Sequence, residues 1–304
     1  MLKKEDYFKP IDKRVQDSEF IALKPKSFAA DVWERFRENK LSLFSLYLLL
    51  SIIIIAVSGP FLSPYPYDGM NSSMTNRMMS IQHWFGTDQL GRDLFTRSLY
   101  GLRISLLIGF ISTFINVGLG MVYGGIAGYA GGKADMAMMR FVDIIYAVPS
   151  LLYIILLMLL FGSNVRSIML GICISGWIGI ARITRAQVIT LKERDFSVAA
   201  YIQGASSFRI LFRHLFVNAL GPIIVEATLM VPQAIFMEAF LSFIGVGISA
   251  PEASLGTLAQ DARMYLEIYP YQMIFPIAML CLVIFSLNFI SEGLGQALNP
   301  KDRR

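Results

Sequence analysis

The chain is poor in charge. Asp, Glu, Lys and Arg make up 16% of its 304 residues, where a soluble domain carries about a quarter. Hydrophobic residues make up 55%, and mean hydropathy is +0.56. That balance excludes an ordinary soluble domain and describes a membrane protein. Cysteine is nearly absent: Cys173 and Cys281 both sit in apolar runs, where a thiol behaves as a small hydrophobe. This argues against a disulfide framework and against a metal cluster. Histidine is as scarce. His83 and His214 fall on opposite sides of the membrane in the topology argued below, so no two-histidine metal site or catalytic triad can be assembled from them. No catalytic residue and no metal site is predicted.

A phosphate-binding loop is lacking too. AGYAGGKA, from Ala127 to Ala134, approaches the form GxxxxGK[ST]. Ala127 replaces the first glycine, Ala134 has no hydroxyl for magnesium, and a membrane helix stands where a strand should precede. The sequon-like Asn71-Ser72-Ser73 is a three-residue match that matters only in a secretory pathway. The net charge of +5 points to nucleic acid or anionic lipid only until it is located. Basic residues gather at 3–40, 182–213 and 301–304, with acids interleaved in the first two. That is the pattern of cytoplasmic loops, and nucleic acid is not a predicted partner.

Long apolar runs are what the chain has. A helix needs about 20 mainly apolar residues to cross the hydrocarbon core, and six runs qualify: 42–62, 104–129, 143–162, 166–183, 217–245 and 271–292. The prediction is an all-α, multi-pass protein of the cell membrane, plasma or inner, with six transmembrane helices and both termini on one side. The basic clusters make that side cytoplasmic. The opening MLKKEDYFKPIDKR is mixed in charge and far from the first apolar run, so it reads as cytoplasmic tail and not as a cleaved signal. The predicted organisation is a tail at 1–41, a first span at 42–62, an extracytoplasmic loop at 63–103, a five-helix core at 104–293 and a cytoplasmic tail at 294–304. One feature resists the rule. The loop at 63–103 carries Arg77, Arg92, Arg97 and Arg103 against Asp68, Asp88 and Asp93; long loops weigh less in the rule, and the opposite orientation would put every other basic cluster outside.

Gly120, Gly124, Gly128 and Gly132 recur every four residues, a spacing that lets a second helix approach closely in lipid. In the fifth run, Pro222 and Pro232 predict a tilt or kink, and a bent helix either lines a pathway or is simply bent. Met230, Gln233, Met237 and Glu238 are its candidates for lining one. Glu226 and Glu238 are about 18 Å apart along a helix, too far to share a proton. Glu238 either contacts substrate or water, or bonds to a neighbouring helix.

Between the fourth and fifth runs lies DFSVAAYIQGASSFRILFRHLF, from Asp195. Asp195 or Ser197 can cap a helix that Gly204 ends, and Ser206 or Ser207 can cap a second. In the second, Phe208, Leu211, Phe212 and Leu215 make an apolar stripe, with Arg209 and Arg213 on another face. That predicts an interfacial helix from Ser207 to Phe216 with arginines reaching toward phosphates. The first helix has small side chains that offer little to lipid and would let another protein's groove close over the backbone.

VAAYIQGAS followed by FRILFRHLFVNALGP resembles the EAA loop of ABC importer permeases, the cytoplasmic segment that docks into a separate ATPase subunit. FGTDQLGRDLFTRSLYGLRISL from Phe85, LSFIGVGISAPEASLG from Leu241 and the terminal NFISEGLGQALNP narrow the resemblance to the C-type permease subunit of dipeptide, oligopeptide and nickel importers, over roughly Phe28 to Pro300. It departs from that pattern in four places. Val198 stands where the family has the Glu of its triplet, Tyr201 replaces an Arg, Phe216-Val217 replaces Leu-Pro, and Leu255 replaces a Trp. Without that Glu, one salt bridge to the ATPase drops out of the expectation, which leaves coupling to shape and apolar contact.

The resemblance implies the type I importer permease fold, with the coupling loop at 193–216. It implies a subunit that hydrolyses nothing itself, pairs with a homologous second permease, and works with two ATPase subunits and an extracytoplasmic peptide-binding protein. No cofactor is expected on this chain, since ATP and magnesium would sit on the ATPase subunits. The coupling residues would be Ser197, Val198, Ala199, Ala200, Gln203, Gly204, Ala205, Ser206 and Arg209. Asp88, Arg92, Asp93 and Arg97, at near-helical spacing, would contact the binding protein or form the pathway's outer rim, or else make a salt-bridged surface helix. Two other classes stay open: a secondary transporter driven by an ion gradient, which predicts a midplane acid with a partner and inverted repeats, and a channel or scaffold without energy coupling. Nickel-chelate import is the alternative within the family. The absence of any His or Cys cluster tilts the substrate toward peptide.

Overall fold

A computed structural model describes residues 27–298; the parts of the predicted tails at 1–26 and 299–304 lie outside the described residues. The described chain is helical. Residues 28–38 of the segment read as a tail form α1 (Phe28–Glu38), whose Phe36 is buried among Leu49, Leu287 and Ala297. Asn39 turns the chain. Its Oδ1 accepts from the backbone of Leu41 and Ser42, opening α2 (Lys40–Leu62), and its Nδ2 donates to Gln296 at 3.0 Å. After an irregular segment come α3 (Leu94–Ala130), α4 (Gly132–Tyr146), α5 (Ser150–Phe161) and α6 (Val165–Lys192). Then follow α7 (Asp195–Ile202), α8 (Ser207–Phe243), α9 (Leu255–Arg263) and α10 (Tyr271–Leu298).

Five of these helices are long and apolar enough to cross a membrane alone, and α4 with α5 makes a sixth crossing bent by 72°. The packing register shows why the bent pair must cross. A Cβ at Gly120 would stand 2.6 Å from the Trp177 carbonyl, one at Gly124 would run into the Ala181 carbonyl, and one at Gly128 would lie 2.8 Å from that of Arg185. The two series rise in step, so α3 and α6 run parallel, with Val165 level with Ile108. Between Ala130 and Val165 the chain therefore returns 22 residues' worth of helix, about 33 Å, which is the thickness of the hydrocarbon core. Only α4 and α5 are there to make that return.

Three of the four spaced glycines form the predicted close-approach face. Gly132 does not: it lies past the break at Gly131, with nothing within 4 Å of where its Cβ would be.

The predicted interfacial helix is also revised. Ser206 caps it as expected, but Ser207 onward runs without a break into the fifth span. A π-helical segment, Ile210–Leu215, carries one into the other. Ile210, Leu211 and Leu215 are buried against Val188 and Leu191 of α6. The segment is the first part of a span packed on protein, and Phe208, at 70% exposed, is left outside the core.

Candidate functional site

Three regions carry the predicted site residues, and the structure treats them differently. The first is α7. Its last turn ends in a Schellman motif: the Gly204 amide donates to the Tyr201 carbonyl at 2.9 Å and the Ala205 amide to that of Ala200 at 3.0 Å. Gly204 sits at φ +81°, a left-handed conformation natural to glycine. Ser197 is buried, and Ala200 and Ala205 pack against the cluster around Leu211 and Leu215. Val198, Tyr201 and Ile202 are 46%, 71% and 78% exposed; Ala199, Gln203, Gly204, Ser206 and Arg209 are exposed beside them. A short apolar ridge therefore projects from the bundle on a rigid, capped turn.

The second region is the segment leading into α3, and here the expectation from sequence is corrected. Asp88, Arg92, Asp93 and Arg97 are all buried, at 2–4% exposed. They present no surface for a binding protein. Arg92 Nε donates to Asp88 Oδ2 at 2.6 Å, and Arg97 Nη1 donates to the same oxygen at 3.0 Å. Asp261 of α9 stands 3.6 Å from both guanidinium groups, so two cations meet two carboxylates. Burial pushes the Asp261 carboxyl up from its ordinary value, while Arg92 draws it down and Asp88 adds to the rise. Asp93 works separately. It caps α3 by accepting from Thr96 at 2.8 Å and meets His83 Nδ1 at 2.8 Å. The pairing neutralises Arg92 and Arg97 inside the fold.

The third region is a cleft of about 710 Å³ between α3, α6, α8 and the bend that joins α4 to α5. The bend, Ala147 to Pro149, lies in its wall; non-helical backbone at membrane depth is tolerated where it lines such a cavity. Of the predicted lining residues, Met230, Gln233 and Met237 face the cleft. Glu238 does not. It is fully buried on the other side of α8, accepting from Ser105 at 2.7 Å and from Ser242 at 2.8 Å, and so it ties α8 to α3. Glu226 takes the place the sequence reading gave to Glu238 and lines the cleft. Its spacing from Met230, Gln233 and Met237, at four, seven and eleven residues, puts the four on one helix face and was the signal available.

Metal binding has no support in this arrangement: no group of three or more His, Cys, Asp or Glu side chains converges among the described residues. What the geometry offers is a cleft, a buried ion-paired clamp before α3 and a helix projecting beyond the far end of α6.

Most of the chain is similar to known proteins. Residues 120–304 match the family described as the binding-protein-dependent transport system inner membrane component, and residues 27–80 match the N-terminal TM domain of oligopeptide transport permease C. The chain is 42% identical to the oligopeptide transport system permease protein OppC of Bacillus subtilis (strain 168), over 99% of this chain and 98% of that one. It is 44% identical to the dipeptide transport system permease protein DppC of the same organism, over 91% and 87%, and 38% identical to OppC of Escherichia coli (strain K12), over 94% and 95%. Among solved structures, it is similar in fold to the MetNI methionine ABC transporter in inward-facing conformations. That match has a TM-score of 0.54 and 17% identity, and covers 68% of this chain and 96% of that one.

Proposed function

Because the chain belongs to the family of binding-protein-dependent transport system inner membrane components, we propose that it is the permease subunit of an ATP-driven importer of oligopeptides or dipeptides. It is a multi-pass transport subunit of the inner membrane and not an enzyme. In this reading it pairs with a homologous second permease, which closes the open side of the cleft. Two ATPase subunits holding ATP and magnesium dock on the cytoplasmic end, and an extracytoplasmic binding protein delivers the peptide.

The observation that carries the reading is the exposure of Val198, Tyr201 and Ile202 on a helix fixed at both ends to the bundle. Ala200 and Ala205 rest on the π segment, and that segment continues into α8, which lines the cleft. A push on α7 therefore reaches the cleft through one continuous helix. Exposed apolar side chains at such a position mark a protein contact, and a groove on an ATPase subunit supplies it. Substrate identity follows the relatives, whose names specify oligopeptide and dipeptide transport; nickel-chelate import lacks a ligand cluster to favour it.

Reconstitution into lipid vesicles tests the reading. Peptide uptake should require ATP, the ATPase subunits and the binding protein together. Uptake driven by an ion gradient with this chain alone would overturn it.

A further inference from the structure

Glu226 is the one charged residue among the described residues that line the cleft. It lies thirteen residues from Arg213 and seventeen from Phe243, about 20 and 26 Å along a helix, and so near the middle of its span. No described group bonds or pairs with it. The nearest basic side chain on the facing helix, Arg182, is already committed: it donates to Asp143 at 3.0 Å and lies over the Tyr146 ring at 4.5 Å. A carboxylate held at this depth without a partner is costly unless it faces water or a cationic ligand.

A second observation comes from α3. Asn116 is 1% exposed, lines the same cleft, and its Oδ1 has no hydrogen-bond partner. Both side chains rest on glycines of α6. A Cβ at Gly176 would run into the Asn116 amide, and one at Gly179 would stand 3.6 Å from Glu226 Oε1. Gly176 and Gly179 are three residues apart on one face, a rise of about 4.5 Å. The two polar side chains are thus about one helical turn apart along α6, with Asn116 nearer its start.

We infer that Glu226 receives the α-ammonium group of the peptide in transit. Such a contact reads only a feature common to all peptides and ignores side chains, which face Met230 and Met237. This rests on the proposed peptide-import function.

The test uses the assembled importer, with its second permease and ATPase subunits, in lipid vesicles, and trialanine as probe. Glu226→Gln should lower ATP-driven uptake by about tenfold, the scale expected for losing a hydrogen bond to a charged group, while Glu226→Asp restores at least half. ATP hydrolysis stimulated by the binding protein should stay within twofold in both. In a binding-protein-free measurement, saturation-transfer NMR of the complex should show stronger contact with trialanine than with N-acetyl-trialanine, and E226Q should abolish the difference. Wild-type uptake in E226Q, equal signals from the two peptides with the unaltered protein, or collapse of ATP hydrolysis in both variants would each overturn the inference. Failure of the unaltered importer to move any peptide would instead overturn the function on which it rests.

Discussion

Arg92 and Asp88 meet at 2.6 Å between Nε and Oδ2, with side chains only 5% and 6% exposed. Asp88 also accepts, through Oδ1, from the backbone of Leu90 and Arg92 at 2.9 Å, so it closes the turn and shares with Asp261 the neutralisation of the two arginines. Removing it while the guanidinium groups stay buried leaves charge uncompensated. Asp88→Asn should destabilise the protein by about 3–5 kcal/mol, read as a large fall in melting temperature in detergent. An unchanged melting temperature would contradict the buried pairing.

Asp261 gives this cluster a pH dependence. Its folded value is raised above the unfolded value of about 3.9, so folding favours its protonated form. The stabilisation is full below the unfolded value and is lost as pH rises through the folded one. Asp261→Asn should therefore flatten the dependence of melting temperature on pH in the acidic range just above 3.9. A slope equal to that of the unaltered protein would assign the titration elsewhere.

Gly204 is required for its backbone angle and not for space, since nothing lies within 4 Å of an added Cβ. Left-handed backbone costs a non-glycine residue about 1–2 kcal/mol, with Asn the usual exception. Gly204→Val should uncouple ATP hydrolysis from uptake, and Gly204→Asn should retain most coupled transport. Equal loss in both would mean that the angle is not what matters.

Gly124 and Gly118 lie on the same helix but differ in surroundings. A Cβ at Gly124 runs into the backbone of Ala181, whereas one at Gly118 meets nothing. Gly124→Val should separate α3 from α6 and sharply reduce the yield of folded protein, and Gly118→Ala should leave the yield unchanged. Comparable yields would show that the glycine face is not the contact.

Much of this was legible in the sequence, and the failures share a cause. Six crossings, the glycine face and the Gly204 cap follow from patterns within one segment: apolar length, four-residue spacing and left-handed glycine. What a single segment does not contain was left open or misread. The Asp88 cluster looks exposed until Asp261 arrives from α9. Glu238 looks like a pathway residue until Ser105, 133 positions away, bonds it. The helix after Ser206 looks interfacial because its stripe matches lipid as well as it matches α6. Polarity along a chain tells which residues need a partner; only packing tells which partner they have.

The central claim is that an ATPase subunit covers the exposed ridge of α7. A photo-crosslinking residue placed at Ile202, 78% exposed, tests it directly in the assembled importer, with Met264, 86% exposed beyond α9, as the control. An adduct is expected between position 202 and the ATPase subunit and none from position 264. Absence of the adduct at 202 in a complex that still transports, or an ATPase adduct at 264, would contradict it.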